Sequence, residues 1–454
     1  MKSNEEIIPI GPSKRILFAT AVAFTVIACI GGALCIPFLY ESPTMFYKFG
    51  VDKLLLRSAK MIGLAAAILL LLQFPLAGRL KWLDRLFSLP VLYRIHRLNA
   101  YMAGGLILCH PLLVLVPEGR WRIPFELRYW PEWVGGALLT AILFQIGLSH
   151  WRPHLFNAYH KWRRVHCILG PLSLILLFLH ILNVSETFEA AGLPRNLVLG
   201  TAIGSLVLWA WIRIGRLRHG KKQFTVVRVQ PAGIRGYRVD LEPFRHPHFS
   251  YMPGQFAFVS FKTVHISKEF HPFTLASTPS RPGTVQFVIR SCGDWTDHIG
   301  SLQEGDQAFI QGPFGRFSHL LLPIDREVVM IAGGIGITPM LSMLRYMTDR
   351  GDSRRITLIW SNRTRAHLFG EQELEAMREK LTNFNWVPIF TREAGDNDRL
   401  GRLDRGALGK FLLACRRDAS IFLCGPLPMI SQVQKDLIRI GFAAKWIRTE
   451  EFGF

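Results

Sequence analysis

The apolar and polar positions divide the chain into two textures. Before about residue 215, six long apolar runs follow one another: Ile16–Tyr40, Leu54–Ala77, Leu98–Val116, Trp133–Ser149, Val165–Val184 and Leu197–Ile214. Each is close to the roughly 20 residues a helix needs to cross hydrocarbon. Six membrane-spanning helices are therefore predicted. After Gln223 the runs shorten. Phe224–Val229, Gln255–Phe261, Val285–Arg290 and Gln307–Ile310 are separated by Pro/Gly turns and predict an antiparallel β-barrel over 223–320. From 325 onward, apolar strands (Glu327–Ile331, Ile356–Ser361, Trp386–Phe390, Ser420–Leu423) alternate with helical patterns from Pro339, near Glu371–Leu381 and near Pro428–Ile440. That alternation predicts a parallel α/β sheet. The expected architecture is multi-domain: a six-helix transmembrane bundle over 1–218, a β-barrel domain over 221–321 and an α/β domain over 325–454.

Charge sharpens this picture. The 454 residues carry 54 Lys+Arg against 33 Asp+Glu, a net charge of +21, yet only 19% are charged and half are apolar. A nucleic-acid-binding or disordered chain would be rich in charge and poor in apolar residues. No nucleic-acid partner is expected; the bilayer is. One set of flanking segments is rich in basic residues: Lys14/Arg15, Arg79/Lys81/Arg85/Arg94/Arg97, Arg152/Lys161/Arg163/Arg164, and Arg213/Arg216/Arg218/Lys221/Lys222. The alternate set is poorer: Lys48/Lys53/Arg57, Arg120/Arg122/Arg128 and Arg195. The rich set is expected on the cytoplasmic side of the cell membrane, which puts both termini and everything after Lys222 there. The first run is too long for a signal-peptide core and lacks a small-x-small cleavage site, so it is read as an uncleaved span. Seven cysteines without a CxxC argue against a disulfide scaffold, a zinc ribbon and a plant-type iron–sulfur centre.

The third apolar run and its approach contain His96 and His110, and the fifth contains His166 and His180. Each pair is fourteen residues apart, about 40° short of four full turns, so both members share one helix face about 21 Å apart. The two spans run in the same direction. His96 can face His166 near the cytoplasmic side, and His110 can face His180 near the outer side. A single intramembrane histidine could simply hydrogen-bond between helices. Two pairs with one spacing on parallel helices point instead to metal ligation, with two stacked haems carrying single electrons through an insulating layer. His150, His154 and His160 are expected to be interfacial and non-ligating.

The later half carries nucleotide signals. HPFTLAS at 271–277 offers the Thr274 hydroxyl and backbone N–H groups at a strand end, which suits a flavin ring. In RSCGDWT at 290–296, Gly293 allows close approach and Thr296 is expected to cap a short helix running to about Leu302, an anion site for a pyrophosphate. IAGGIGITPM at 331–340 follows an apolar strand and opens a helix; Gly333, Gly334 and Gly336 permit a tight turn and phosphate contact. FLCGPLPMI at 422–430 puts Cys424 and Gly425 at the carboxyl edge of the sheet. Ser361, Arg363 and Arg365 could clasp a 2′-phosphate, favouring NADPH over NADH, or form an ordinary solvated loop. The terminal EEFGF offers Phe454 as an aromatic for a flavin face.

In this order, these motifs resemble the ferric reductase and NADPH oxidase superfamily of membrane flavocytochromes. The resemblance implies a ferric-reductase-like transmembrane domain, an FAD-binding barrel and a Rossmann-like NAD(P)-binding domain. It implies that His96/His166 and His110/His180 ligate an inner and an outer haem b. His271, Pro272, Phe273 and Thr274 would hold the isoalloxazine, and Arg290, Gly293 and Thr296 the FAD pyrophosphate. Gly333, Gly334, Gly336, Thr338 and Pro339 would take the phosphates of NADPH or NADH, with Cys424 and Gly425 beside the nicotinamide. Phe454 would stack on the flavin and move aside for hydride transfer, in which Cys424 and Thr274 would also take part. Many soluble relatives use Arg-x-Tyr-Ser at the flavin; here His271 stands for that Arg. No EF-hand loop is present, and no protein partner is required. The activity implied is NAD(P)H-dependent electron transfer to a small-molecule acceptor on the outer side, a ferric chelate or dioxygen, toward which Arg120, Arg122 and Arg128 could contribute. The rivals are a haem-free membrane anchor for a flavin reductase and a non-catalytic haem-binding membrane protein.

Overall fold

The computed structural model describes residues 12–117, 119, 123–152, 159–218, 222–246, 249–281, 283–323, 326–392 and 399–451. They fall into two compact units, one within 11–216 and one within 217–454.

In the first unit, six helices among the described residues are long and apolar enough to cross a membrane. They are α1 (Pro12–Leu39), α2 (Gly50–Ala77), α3 (Leu89–Leu115), α4 (Trp130–His150), α5 (Tyr159–Val184) and α6 (Leu193–Arg218). Each predicted run coincides with one of them, the first and third running one residue past the helix end at Tyr40 and Val116, and every helix begins before its run. Hydropathy marks only the stretch that hydrocarbon covers, whereas backbone hydrogen bonding continues until the chain turns, at Gly50 (φ +57°), the first residue of α2, and at Ser88 (φ +59°) before α3. Outward faces carry exposed large apolar side chains on every helix: Phe24, Leu54, Leu108, Phe144, Ile168 and Val207. Such a continuous apolar exterior suits lipid, not water. Ala67, Leu138, Ile142 and Leu177 form a buried cluster among α2, α4 and α5, with Ile107 of α3 packed on it.

The second unit holds two six-stranded sheets. The first contains β1 (Lys222–Pro231), β2 (Gly236–Pro243), β3 (Phe256–Lys262), β4 (His271–Thr274), β5 (Val285–Arg290) and β6 (Gln307–Phe314). Its order is β4-β3-β6-β1-β2-β5, antiparallel throughout. Phe224, Leu241, Val259, Phe261, Phe287 and Ile310 fill its core. Where a barrel was expected, the edge strands β4 and β5 share no ladder; one backbone bond, from Ala276 N–H to the Gln286 carbonyl at 2.8 Å, joins the chain just after β4 to β5. Strand β2 escapes the run-based reading because it alternates apolar Tyr237, Val239 and Leu241 with charged Arg238, Asp240 and Glu242.

The second sheet is parallel, in the order β10-β9-β8-β7-β11-β12. Its strands are β7 (Val328–Gly333), β8 (Ile356–Asn362), β9 (Phe384–Phe390), β10 (Arg399–Leu400), β11 (Ser420–Gly425) and β12 (Ile447–Glu451). Helices α7 (Ile337–Asp349), α8 (Glu371–Lys380), α9 (Arg405–Phe411) and α10 (Leu427–Arg439) accompany it. β7 and β11 read as unbroken apolar runs because both their faces are covered: Met330, Ala332, Phe422 and Cys424 pack on one side, Val329, Ile331, Ile421 and Leu423 on the other. The edge strand β12 buries only Ile447 and is held mainly by its ladder to β11, so its sequence carries no strand signal. The chain moves outward from β7 through β8 to β10, then returns to β11 on the other side of β7. The β7/β11 boundary is thus a topological switch point, where open α/β sheets bind ligands.

Helix α7 fastens the two sheets together. Ser342, Arg345 and Asp349 share one of its faces. Ser342 Oγ donates to the Ser277 carbonyl at 2.7 Å, and Arg345 donates to the Ala276 carbonyl and Gln286 Oε1, both at 2.7 Å. The same guanidinium grips both oxygens of Glu373, at 2.6 and 2.8 Å. Asp349 accepts from Arg281 at 2.6 Å and from Ser280. Burial pushes the Glu373 carboxyl up, but the hydrogen bonds and charge of Arg345 outweigh it and hold the group below its ordinary value.

Candidate functional site

In the membrane unit the four histidines form two opposed couples. His96 faces His166 with ring centres 6.2 Å apart and planes crossing at 73°; His110 faces His180 at 6.3 Å and 86°. A metal ion about 2.0–2.1 Å from one nitrogen of each of two opposed rings holds their centres roughly 6 Å apart. Each couple therefore fits one metal ion with two imidazole ligands. Among the described residues no group of three or more His, Cys, Asp or Glu could hold a metal ion, so within that set each couple offers two protein ligands.

The second ring nitrogen of each histidine is engaged. His110 Nδ1 meets the Ala59 carbonyl at 2.8 Å, and His180 Nδ1 meets the Pro131 carbonyl at 2.9 Å. Both contacts fix the tautomer with the proton on Nδ1 and leave the Nε2 lone pair for a metal. His96 Nδ1 lies against the Gln73 side-chain amide. His166 Nδ1 lies 3.3 Å from Gln145 Nε2 and 3.4 Å from Ser149 Oγ, and its ring stacks on Trp162 at 5.2 Å. Helix α2 thus supports both ligands of α3, and α4 supports both ligands of α5. The apolar cluster of Ala67, Ile107, Leu138, Ile142 and Leu177 falls, on each of its helices, between the positions of the two tiers. His150 bonds the Tyr101 hydroxyl at 2.9 Å. His154, Arg120, Arg122 and the His160 side chain lie outside the described residues. Arg128 pairs with Glu126 at 2.8 Å.

In the first sheet of the second unit, β4 presents alternate residues to opposite faces. His271 and Phe273 pack on Trp295, at ring distances of 4.4 and 5.7 Å. Trp295 in turn stacks on Phe261 and donates Nε1–H to the Ser267 carbonyl at 3.0 Å. Pro272 and Thr274 alternate with them, opposite Phe258 and Phe256 in the ladder. Thr274 is buried, and its hydroxyl has no hydrogen-bond partner among the described residues. An orphaned buried hydroxyl costs about 1–3 kcal/mol, which a ligand bonded there would relieve. The helix expected from Thr296 to Leu302 differs in detail. Gly293 (φ +124°) turns the chain so that a single helical turn spans Asp294–Asp297, followed by a 3-10 turn at Ile299–Ser301. Thr296 lies inside that turn; its Oγ1 accepts from the Cys292 N–H at 2.7 Å and donates to the Gly293 carbonyl at 3.0 Å, instead of capping.

At the switch point, the loops after β7 and β11 meet backbone to backbone. A Cβ on Gly336 would overlap the Cys424 carbonyl oxygen, and one on Gly333 would come 2.5 Å from Met429 Sδ. One on Gly425 would lie 3.1 Å from the Gly333 backbone. These glycines serve loop packing. Gly334 (φ +55°) is the more open one: its Cβ position meets only Arg290 Nη1, at 3.6 Å. Trp360, fully buried, pins the Gly334 carbonyl with its Nε1–H at 2.9 Å. Thr338 Oγ1 bonds back to the Ile335 carbonyl at 3.1 Å, and Pro339 is the third residue of α7. Cys424 is fully buried; burial, then the negative charge of Glu450, raises its thiol well above the ordinary range, so it is a neutral neighbour and not a thiolate.

Ser361 pairs with Gly333 across β7 and β8. Arg363 just beyond it belongs to a cluster that the sequence reading did not assemble. Burial, then the charges of Arg290, Arg363 and Arg392, hold His367 below its ordinary value. The Arg392 N–H bonds the Arg363 carbonyl at 2.9 Å. Arg365 is instead drawn to Glu371 at 2.7 Å. Arg392 could have been found as a basic residue just past the strand next to β8; Trp295, Trp360 and Trp162 carry no sequence signal beyond being aromatic. Phe454 lies outside the described residues.

Comparison with known proteins assigns each part. Residues 62–177 match the family described as ferric reductase like transmembrane component, 228–316 an FAD-binding domain, and 330–435 an oxidoreductase NAD-binding domain. The reductase component of propane 2-monooxygenase from Rhodococcus jostii is 29% identical over 219 residues, 45% of this chain and 56% of that protein. The flavohemoprotein of Bordetella pertussis is 28% identical over 216 residues, 45% of this chain and 53% of that one. The chain thus spans little more than half the length of these curated relatives. A flavohemoglobin from Malassezia yamatoensis, solved with FAD and haem, is 20% identical with a TM-score of 0.50, over 88% of this chain and 98% of its own, a likeness of fold alone.

Proposed function

Because the chain has the ferric reductase/NADPH oxidase-type architecture, we propose that it passes electrons from cytoplasmic NAD(P)H across the membrane, by way of FAD and two b haems, to a small-molecule acceptor, a ferric chelate or dioxygen. The observation that carries this reading is the pair of opposed imidazole couples, 6.2 and 6.3 Å between ring centres, each ring held through its second nitrogen. When bound, FAD converts the two-electron chemistry of nicotinamide into single electrons, and haem carries them singly.

The residues divide the work. His96/His166 would hold the inner haem and His110/His180 the outer, with the apolar cluster between the tiers excluding water from the interval. Thr274, whose hydroxyl has no partner among the described residues, would bond the flavin, while Trp295 fixes His271 and Phe273. Arg290 reaches from the end of β5 toward Gly334, so one cation would serve both the flavin and the nicotinamide side. Arg363 and Arg392 would bind the 2′-phosphate of NADPH, with Ser361 at the adjoining strand end. Cys424 lies at the switch point as an uncharged wall. Phe454 would cover the flavin face until nicotinamide displaces it. The basic flanks of the spans support placing both termini and the nucleotide domains in the cytoplasm.

The test uses the full chain in native membranes. Haem is counted by pyridine haemochrome, and NAD(P)H oxidation is followed with oxygen or a ferric chelate offered separately, with superoxide dismutase as a control. Two haems per chain, reduced by NAD(P)H, are expected. No haem would favour a membrane-anchored flavin reductase. Haem that NAD(P)H does not reduce would favour a non-catalytic haem-binding protein.

A further inference from the structure

The two tiers are alike in spacing and unlike in support. The inner imidazoles rest on side chains, Gln73, Gln145 and Ser149. The outer ones rest on backbone, and do so twice in the same way. His110 bonds the carbonyl of Ala59, and a Cβ built on Gly63, four residues on, would come 3.0 Å from its Cε1 and Nδ1. His180 bonds the carbonyl of Pro131, and a Cβ on Gly135, again four residues on, would come 2.6 Å from its Cε1 and 2.8 Å from its Nδ1.

The repeated offset has a physical reason. In an α-helix the carbonyl of residue i points along the axis to the N–H of residue i+4, so the side chain at i+4 stands beside that oxygen. An imidazole approaching from a neighbouring helix reaches the second lone pair of the carbonyl only if position i+4 leaves the flank bare. Glycines elsewhere in the spans, and Gly136 next to Gly135, do not share this role: Gly105, Gly136, Gly170, Gly200 and Gly204 have nothing among the described residues within 4 Å of a built Cβ.

We propose that Gly63 and Gly135 are positioning residues for the outer metal site, setting the ring planes and depth of His110 and His180 by letting each imidazole settle on a helix backbone beside the carbonyl that takes its Nδ1 proton. The proposal rests on the haem reading above and adds to it that the outer site alone is seated on backbone. Partners of this kind orient a ligand and tune its metal, and losing one typically changes metal affinity or activity by roughly 10–100-fold.

The experiment compares Gly135→Ala, Gly63→Ala and the neighbouring control Gly136→Ala in the full chain in membranes. Haem content, the low-spin ferric electron paramagnetic resonance signals and a redox titration of each haem are read. His180→Ala identifies which spectral component is the outer one. Gly135→Ala is expected to shift or lose that component and leave the other unchanged. Gly63→Ala, with the looser contact, is expected to shift the same component less. Gly136→Ala is expected to match the wild type. Wild-type spectra and midpoints in both Gly135→Ala and Gly63→Ala would overturn the proposal, as would a shift confined to the inner component. If Gly135→Ala fails to accumulate, Gly63→Ala decides alone. A wild-type chain without haem would instead overturn the haem reading.

Discussion

The membrane unit and the nucleotide-binding unit place their reactive groups by opposite means. In the first, the groups sit in mid-helix, and a fourteen-residue interval repeated on α3 and α5 fixes both tiers at once. In the second, they sit at strand ends and in the loops just beyond, and are held by whatever packs against them: the Cys424 carbonyl against Gly336, Trp360 on the Gly334 carbonyl, and α7 across to Ala276 and Ser277. A helix-borne site is broken most completely by deleting a ligand, and by an added atom only where a glycine seats the ligand, as Gly63 and Gly135 do. A loop-borne site is broken as readily by adding an atom.

The largest expected effect is deletion in the membrane unit. On the proposed electron path, His180→Ala should remove the metal of the His110/His180 couple and cut reduction of an external acceptor by more than about 100-fold, beyond the scale at which supporting partners act. Bleaching of the flavin by NAD(P)H should persist, and its loss in this variant would mean that the two halves do not work independently. Addition in the loop unit comes next. Gly336→Ala forces the β7 and β11 loops apart, an overpacking that costs typically about 1–3 kcal/mol. Flavin reduction by NAD(P)H should fail while the imidazole couples still hold their metal, checked by the dithionite-reduced haem spectrum. A spectrum altered in step with the flavin chemistry would dissolve the contrast.

A milder effect is expected at the arginine cluster. Charge-assisted hydrogen bonds are worth about 1.5–3 kcal/mol, so Arg363→Gln and Arg392→Gln together should lower the NADPH-over-NADH ratio of kcat/KM by roughly ten- to hundred-fold. Arg365→Gln, already engaged by Glu371, should change it little. The smallest effect is electrostatic. The Glu373 carboxyl lies below its ordinary value in the fold, so its bond to Arg345 adds stability that is complete above the unfolded value of about 4.3 and disappears as pH falls through the lower folded one. With a partly exposed carboxylate the gain is at most about 1 kcal/mol. Glu373→Gln should flatten the acid limb of thermal unfolding of the nucleotide-binding unit, and an unchanged limb would count against the lock.

How much was legible follows the same division. Spans and histidine couples could be read because lipid demands long apolar runs and a helix repeats every 3.6 residues, so a spacing along the chain is also a direction in space. The strands buried on both faces were legible for a similar reason. Strand β12 was not, because a polar edge strand is held by its neighbour's ladder and leaves no pattern of its own. Thr296 was misread as a cap because the positive φ of Gly293, which starts the turn earlier, is a property of the folded backbone.

By itself, the sequence determined the two-part architecture, the tiered histidines and the glycine loops, all features that local period or composition encodes. Only the tertiary structure decided what each group leans on. The carbonyls of Ala59 and Pro131 under His110 and His180, Trp295 under His271 and Phe273, and Arg392 beside Arg363 are partners from elements apart in the chain. No local pattern records such partners, because what brings them together is the packing of whole helices and strands whose own sequences fix their faces but not their neighbours.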